Sequence, residues 1–405
     1  VTVLPLRPDL QGCEPYGAPE LDVPVRLNVN ENPYPPSPAV VADIAAAAGR
    51  AASGLNRYPD RDFPGLRAAL ADYLAAESGV SLGGEQVWAA NGSNEVMAHV
   101  LQAFGGPGRT CLSFTPTYSM YPEYARDTFT RYVTGPRRED FTVDVGAVAA
   151  AIARERPAVL ILASPNNPTG TALPLNDVVA VLEAARGHGP ADTATSGDSA
   201  DSADTATDCV VVIDEAYAEF RRPGVPSALE LLERTDADGT PRYPHLAVTR
   251  TMSKAFGMAG LRLGYLAASA ELVDMLRIVR LPYHLSAISQ AAALAALDHR
   301  QELMSQVASL RDERDALVEW LRAHGWNAHD SDANFVLFGP FADREAVWRG
   351  LLERGVLIRV VGPEGYLRAC VGTSQEMERF RTALLAVTGN TTGQATTLVN
   401  EEKNA

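Results

Sequence analysis

The sequence predicts an α/β protein: a large domain whose mostly parallel sheet lies between helices, followed by a smaller α+β domain. Three observations point there. From about residue 84, short apolar runs alternate with helical patterns, the order of a parallel-sheet protein. The runs are continuous in hydrophobicity rather than alternating, as in strands covered on both faces. The chain has 405 residues, more than one comfortable core, so two domains are expected.

Residues 1–38 read as an extended N-terminal arm, because Asn30-Glu31-Asn32-Pro33-Tyr34-Pro35-Pro36 cannot be helix interior. Such an arm packs either on the chain's own second domain or on a partner subunit. Ala/Leu-rich helical patterns follow at 39–53 and 64–77, separated by the polar turn Leu55-Asn56-Arg57-Tyr58-Pro59-Asp60. Strands are expected at 86–90, 110–114, 158–163, 209–213, 246–249 and 264–267. Helical stretches at 268–280 and 286–324 come next. Strands at 335–338, 356–360 and 368–371 then alternate with helices at 341–354 and 374–387. The large domain is placed at 39–285 and the small one at 286–388, with a hinge near 286–310. Segment 190–208 holds five aspartates and no basic residue, and it is expected to be a disordered acidic insert. A flexible tail is expected at 389–405.

Composition narrows the function. Hydrophobic residues make up 46% and charged residues 21%, ordinary for a soluble globular protein. No apolar run reaches membrane-spanning length, and no signal peptide is evident at the N-terminus. The net charge of −15 argues against nucleic acid as a partner. Cys13, Cys111, Cys209 and Cys370 are too widely spaced for a disulfide framework or a zinc site, which suits a cytoplasmic protein. The seven histidines include no His-Glu-x-x-His pair, so no metal is expected. Gly105-Gly106-Pro107-Gly108 does not follow a strand, which disfavours a dinucleotide fold.

The chemistry is carried by strand ends. In Thr251-Met252-Ser253-Lys254-Ala255-Phe256-Gly257 a single lysine stands among small and apolar residues, where burial lowers its pKa and frees the amine for attack on a carbonyl. Ser253 and Arg262 can together grip a dianionic phosphate. Asp214 ends the apolar run Val210–Ile213 and can pair with a protonated ring nitrogen; Tyr217 can donate to a ring oxygen. Ser164-Pro165-Asn166-Asn167-Pro168-Thr169-Gly170 makes a tight loop after another strand. Asn91-Gly92-Ser93-Asn94-Glu95 opens a helix, where backbone amides suit a phosphate. Tyr118 follows a further strand and can stack on a planar ring. Taken singly, each has a plainer reading: a solvated lysine, an acidic turn, a loop, a helix cap, a packed tyrosine. Together they describe a site for a phosphorylated aromatic aldehyde.

With these motifs at these intervals, the chain resembles the fold-type I aminotransferases that use pyridoxal 5′-phosphate (PLP), from about residue 7 to 387. Leu27-Asn28-Val29-Asn30-Glu31-Asn32-Pro33-Tyr34 and Leu55–Asp60 make it most similar to the histidinol-phosphate branch; an aromatic or broad-specificity branch of the same fold stays open. The resemblance makes Lys254 the residue that binds the cofactor aldehyde and shuttles the proton, and it pairs Asp214 with the pyridine nitrogen. It gives Asn167 and Tyr217 to the ring oxygen and Tyr118 to the ring face. Ser93, Asn94, Ser253 and Arg262 hold the cofactor phosphate, joined by Tyr58 from the partner subunit of a homodimer with shared sites. Arg368 binds the substrate carboxylate or phosphate, with Arg359 as a second phosphate contact and Tyr16 and Asn167 near the substrate. The implied reaction is a ping-pong exchange between L-histidinol phosphate and 2-oxoglutarate, giving imidazole-acetol phosphate and L-glutamate.

Overall fold

A computed structural model describes residues 4–191 and 207–389. Most of the acidic insert and nearly all of the tail therefore lie outside the described residues. In chain order the elements are β1 (Val25–Arg26), α1 (Pro38–Ala52), α2 (Pro64–Ser78), β2 (Val87–Ala90), α3 (Ser93–Phe104), β3 (Thr110–Thr115), α4 (Tyr121–Asp127), β4 (Arg131–Pro136), α5 (Val145–Glu155), β5 (Val159–Ala163), α6 (Leu175–Ala185), β6 (Val210–Asp214), β7 (Leu246–Thr251), β8 (Gly264–Ala268), α7 (Ala270–Val279), α8 (Ala287–Asp298), α9 (Arg300–Ala323), β9 (Asn327–Ala328), β10 (Phe335–Gly339), α10 (Arg344–Glu353), β11 (Val356–Leu357), β12 (Leu367–Cys370) and α11 (Ser374–Thr388).

Seven strands form the main sheet in the order β2-β8-β7-β6-β5-β3-β4. β8 runs antiparallel to both its neighbours, and the other pairings are parallel. The central strands β5, β6, β7 and β8 are buried at every position, which explains their mainly apolar sequence, broken only toward the ends of β6 and β7. From β3 the chain steps outward to β4 and then back across to β5. This reversal is a topological switch point, where open α/β sheets leave a crevice beyond the strand ends.

A second core forms around the antiparallel sheet β12-β10-β9 with α9, α10 and α11. The arm belongs to this core: β1 pairs with β11, and the Cys370 amide donates to the Leu27 carbonyl. The arm thus packs on its own chain from Val25 to Leu27. The stretch 286–324 is two helices, broken at His299, whose imidazole meets Asp43 at 2.7 Å. Ala293, Ala296 and Leu297 of α8 join the larger core, while the residues of α9 from Val307 onward join the smaller. The changeover between the cores falls inside α9.

Three strands escaped the sequence pattern. β4 is a half-exposed edge strand ending in Gly-Pro, and β1 and β9 span two residues each. None of them presents a run of apolar residues long enough to register.

Candidate active site

The crevice opens into a cavity of about 790 Å³ lined by both cores and by the arm. Its floor is made by residues just beyond β3, β5, β6 and β7. Tyr118, Asn167, Asp214, Tyr217, Ser253 and Lys254 all line it, as do Ser93, Asn94 and Arg262 from the region of α3 and β8. Tyr16, Arg359 and Arg368 line its far side. Of the residues expected from sequence, Tyr58 alone is not brought there. It is 80% exposed and stacks on Tyr283 with ring centroids 4.5 Å apart.

Lys254 follows β7 in a short turn and sends its Nζ into the cavity, where it donates to the Val29 carbonyl at 3.0 Å. Loss of water around the ammonium, with Arg368 and Arg262 adding repulsion, brings the pKa down to about 8. Asp214 sits at the last position of β6, so its backbone is fixed by sheet pairing on both sides. Its Oδ2 accepts from the Tyr121 hydroxyl at 2.8 Å and its Oδ1 from Thr249 at 3.1 Å. Burial still pushes its pKa above the ordinary carboxylate value, against these two donors. The next residue, Glu215, turns to the opposite face of the strand and pairs with the wholly buried Arg250 at 2.7 Å. One carboxylate thus serves the cavity and its neighbour the interior.

The end of the cavity near α3 is an anion cradle. α3 has no side-chain cap, and neither the Ser93 nor the Asn94 amide donates to a described backbone acceptor. The Asn94 side chain instead accepts from Tyr124 at 2.9 Å. Gly92 has φ 85°, and a Cβ there would lie 2.8 Å from Arg262 Nη2; glycine is what lets the guanidinium reach the helix start. Arg262 donates to the Ala259 carbonyl at 3.3 Å. Free amides, an uncapped helix dipole and a guanidinium fit a phosphate.

The opposite end is also cationic. Arg368 on β12 is buried, donates to Asn167 Oδ1 at 2.5 Å and to the Asn28 carbonyl at 2.7 Å, and lies 5.1 Å over the Phe335 ring. Its Nε has no partner among the described residues. Arg359 faces it across a backbone bridge. Sequence reasoning missed Tyr121, Thr249 and Asn30, which hold Asp214 and Tyr217. Their contacts cross 93, 35 and 187 residues of chain, and no local spacing encodes such pairings.

Known proteins resemble this chain over most of its length. The family model for aminotransferases of class I and II matches residues 23–190 and 199–384. Histidinol-phosphate aminotransferase 3 of Burkholderia lata is 56% identical over 95% of this chain and 96% of its own length. Histidinol-phosphate aminotransferase of Thermobifida fusca is 58% identical, covering 95% and 96%. The crystal structure of histidinol-phosphate aminotransferase from Sinorhizobium meliloti in complex with PLP shares the fold, with a TM-score of 0.78, 24% identity, and 95% and 98% coverage. A tetra mutant of Thermus thermophilus aspartate aminotransferase gives 0.74 at 26% identity, covering 94% and 97%. The chain belongs to the class I and II aminotransferases.

Proposed function

We propose that this protein is a PLP-dependent histidinol-phosphate aminotransferase, moving an amino group between L-histidinol phosphate and 2-oxoglutarate. The observation that carries the reading is one cavity with an anion cradle at each end and a desolvated lysine amine between them. A cofactor phosphate at one end and a substrate anion at the other account for both cradles. The curated relatives at 56% and 58% identity, named for this activity, support the choice of substrate.

Bound PLP supplies an aldehyde carbon to receive the amino group and an aromatic ring that draws electrons from the substrate Cα. The rest is the work of the chain. Ser93, Asn94, Ser253 and Arg262 hold the phosphate and so fix the ring's position. Asp214, oriented by Tyr121 and Thr249, would pair with the ring nitrogen, whose positive charge favours the ionised carboxylate against its burial. Asn167 and Tyr217 bond the ring oxygen, and Tyr118 covers a ring face. Lys254 is neutral for a sizeable fraction of the time near pH 8, so it can accept the proton from Cα and would give it back at the carbon that was the cofactor's aldehyde carbon. Arg368 takes the carboxylate of glutamate or the phosphate of histidinol phosphate, since its fork accepts either anion; Arg359 and Tyr16 complete that end.

Turnover with 2-oxoglutarate tests the assignment. Histidinol phosphate should exceed phenylalanine in kcat/KM by at least about tenfold, the worth of one good charge-assisted contact. Equal turnover of the two would assign the chain to a broad-specificity aromatic enzyme instead.

We also propose a homodimer in the cytoplasm, with Tyr58 reaching the partner's cofactor phosphate. Its outward setting beside Tyr283, away from its own cavity, supports this, and the four free cysteines suit a reducing compartment. Tyr58→Ala and Lys254→Ala subunits are each expected to be impaired alone. Mixed and refolded together, they should regain activity, because one site of the heterodimer then holds both wild-type residues. No recovery on mixing would place Tyr58 outside the partner's site.

A further inference from the structure

Tyr217 has a hydroxyl that can either give or receive a hydrogen bond, and only one of these choices helps an electron-rich oxygen in the cavity. The structure contains a device that settles the choice. Asn30 Nδ2 donates to the Tyr217 oxygen at 2.8 Å. An amide NH₂ cannot accept, so the tyrosine proton is directed elsewhere, and the cavity is the side left to it. The orientation of the Asn30 amide is fixed in turn. Cys370 Sγ donates to Asn30 Oδ1 at 2.9 Å and receives the Asn30 backbone N–H at 2.9 Å. With Oδ1 taken by the thiol, Nδ2 is the end that faces Tyr217. Burial pushes the Cys370 thiol up and so keeps its donor proton, and it also raises Tyr217 to about 12, which keeps the phenol protonated.

The backbone agrees with this arrangement. Asn30 has φ 57°, a left-handed conformation that asparagine tolerates better than most side chains. Its carbonyl accepts from Asn334 Nδ2 at 3.0 Å. The residue is 2% exposed, and it is tied by side chain or backbone to β12, to the loop before β10 and to the residue that ends the β6 turn. Phe335 packs edge-on against the Tyr217 ring, with centroids 5.1 Å apart, and limits its swing. A hydrogen bond received by a hydroxyl also makes it a better donor.

We propose that Asn30, oriented by the Cys370 thiol, is a positioning residue that makes Tyr217 a hydrogen-bond donor into the active-site cavity. The inference rests on the reading above, in which Tyr217 meets the cofactor ring oxygen. Asn30 acts on the cavity through Tyr217; Cys370 orients Asn30 and also faces the Lys254 amine electrostatically, which is why the Cys370 variants are read beside those of Asn30.

The readout is the pH midpoint of the visible absorption of PLP-loaded protein, which reports how tightly a proton is held beside the ring oxygen. The charged and titratable groups that also bear on it are Asp214, Arg368, Cys370 and Tyr118 around Tyr217, and Cys370, Arg368, Glu31 and Arg262 around Lys254. A donor to the ring oxygen lowers that oxygen's basicity, so losing the donor raises the midpoint. Tyr217→Phe is expected to raise it by about 1, a tenfold change in the proton equilibrium. Asn30→Asp should raise it nearly as much, because a carboxylate recaptures the tyrosine proton. Asn30→Ala should raise it by roughly half as much, leaving the hydroxyl free to turn. Cys370→Ser, which keeps a donor to Oδ1, should stay at the wild-type midpoint, and Cys370→Ala should rise. Adding Asn30→Ala to Tyr217→Phe should change nothing further, whereas two separate structural defects would add.

Unmoved midpoints in Asn30→Asp and Asn30→Ala would overturn the inference, as would a Cys370→Ser midpoint displaced as far as that of Cys370→Ala. Should the Asn30 variants fail to fold, the Cys370 pair and the Tyr217→Phe comparison decide alone. Borohydride fixation of PLP to Lys254 in the wild type is the control on the functional reading. Failure there sinks that reading, while fixation with unmoved midpoints sinks this inference only.

Discussion

Replacing Lys254 with methionine is expected to lower amino transfer by at least about 10⁴-fold and, at the same time, to stabilise the cofactor-free protein by about 2 kcal/mol at pH 7. The first effect follows from removing the lysine amine that, among the described residues, lines the cavity and on the proposed reading carries a proton between substrate and product. The second follows from what the amine costs. Its pKa falls from 10.5 to about 8 in the folded protein, so between those values the unfolded chain binds more protons than the folded one. Stability therefore rises with pH through that window, and the penalty is present in full below about pH 8. Each step of one in pKa corresponds to about 1.4 kcal/mol. Loss of the hydrogen bond to Val29 offsets roughly 1 kcal/mol of the gain. Urea unfolding of both proteins without cofactor, at pH 7 and at pH 10.5, checks the sign. The gap should be widest at pH 7 and should close at the higher pH. A methionine variant less stable than wild type at pH 7 would mean that the ammonium is not desolvated.

Replacing Arg368 with methionine should reduce kcat/KM for glutamate and for histidinol phosphate together, each by about 10² to 10³-fold, the cost of losing one partner of a buried charge pair. The expectation of equal loss comes from geometry. Arg368 is nearly enclosed, and Asn167 and the Asn28 carbonyl hold its guanidinium on two sides, so on the proposed reading both anions meet the same fork. Cofactor binding should survive, because the cradle at the start of α3 lies at the other end of the cavity. Arg368→Lys keeps the charge without the fork and should fall between the two. Stopped-flow measurement of each half-reaction separates the substrates. A loss confined to histidinol phosphate would assign the glutamate carboxylate to another group.

Much of this site was legible in the chain because the sheet does the assembling. Asp214, Lys254, Asn167 and Tyr118 each follow a buried apolar strand within a few residues. Parallel strands of one sheet end at a common edge, so a one-dimensional pattern of strand ends maps directly onto a cavity floor. The contacts that tune those groups were not legible. Tyr121 reaches Asp214 from the first turn of α4, and Asn30 reaches Tyr217 from the arm. Nothing near Tyr121 in sequence distinguishes it from an ordinary tyrosine, and the motif around Asn30, though distinctive, does not say which residue its side chain meets. The break at His299 was likewise invisible: the helical pattern continues through it, and the imidazole's bond to Asp43 on α1 depends on how α1 and α8 pack. The helix start at Ser93 is the reverse case. Local reasoning favours a capping side chain there, whereas the structure leaves the helix uncapped and turns Asn94 toward Tyr124.

Three successive carbonyls of the arm, at Asn28, Val29 and Asn30, receive hydrogen bonds from Arg368, Lys254 and Asn334. A piece of chain far upstream of the sheet thus serves as a common rail for groups from both cores. The practical consequence concerns anyone handling the protein. Trimming the front of the chain to within reach of residue 28, or fusing a bulky purification handle close to it, would disturb the amine and the guanidinium in one stroke. Such a trim would also remove the β1–β11 pairing and the buried Val25 and Leu27 from the second core.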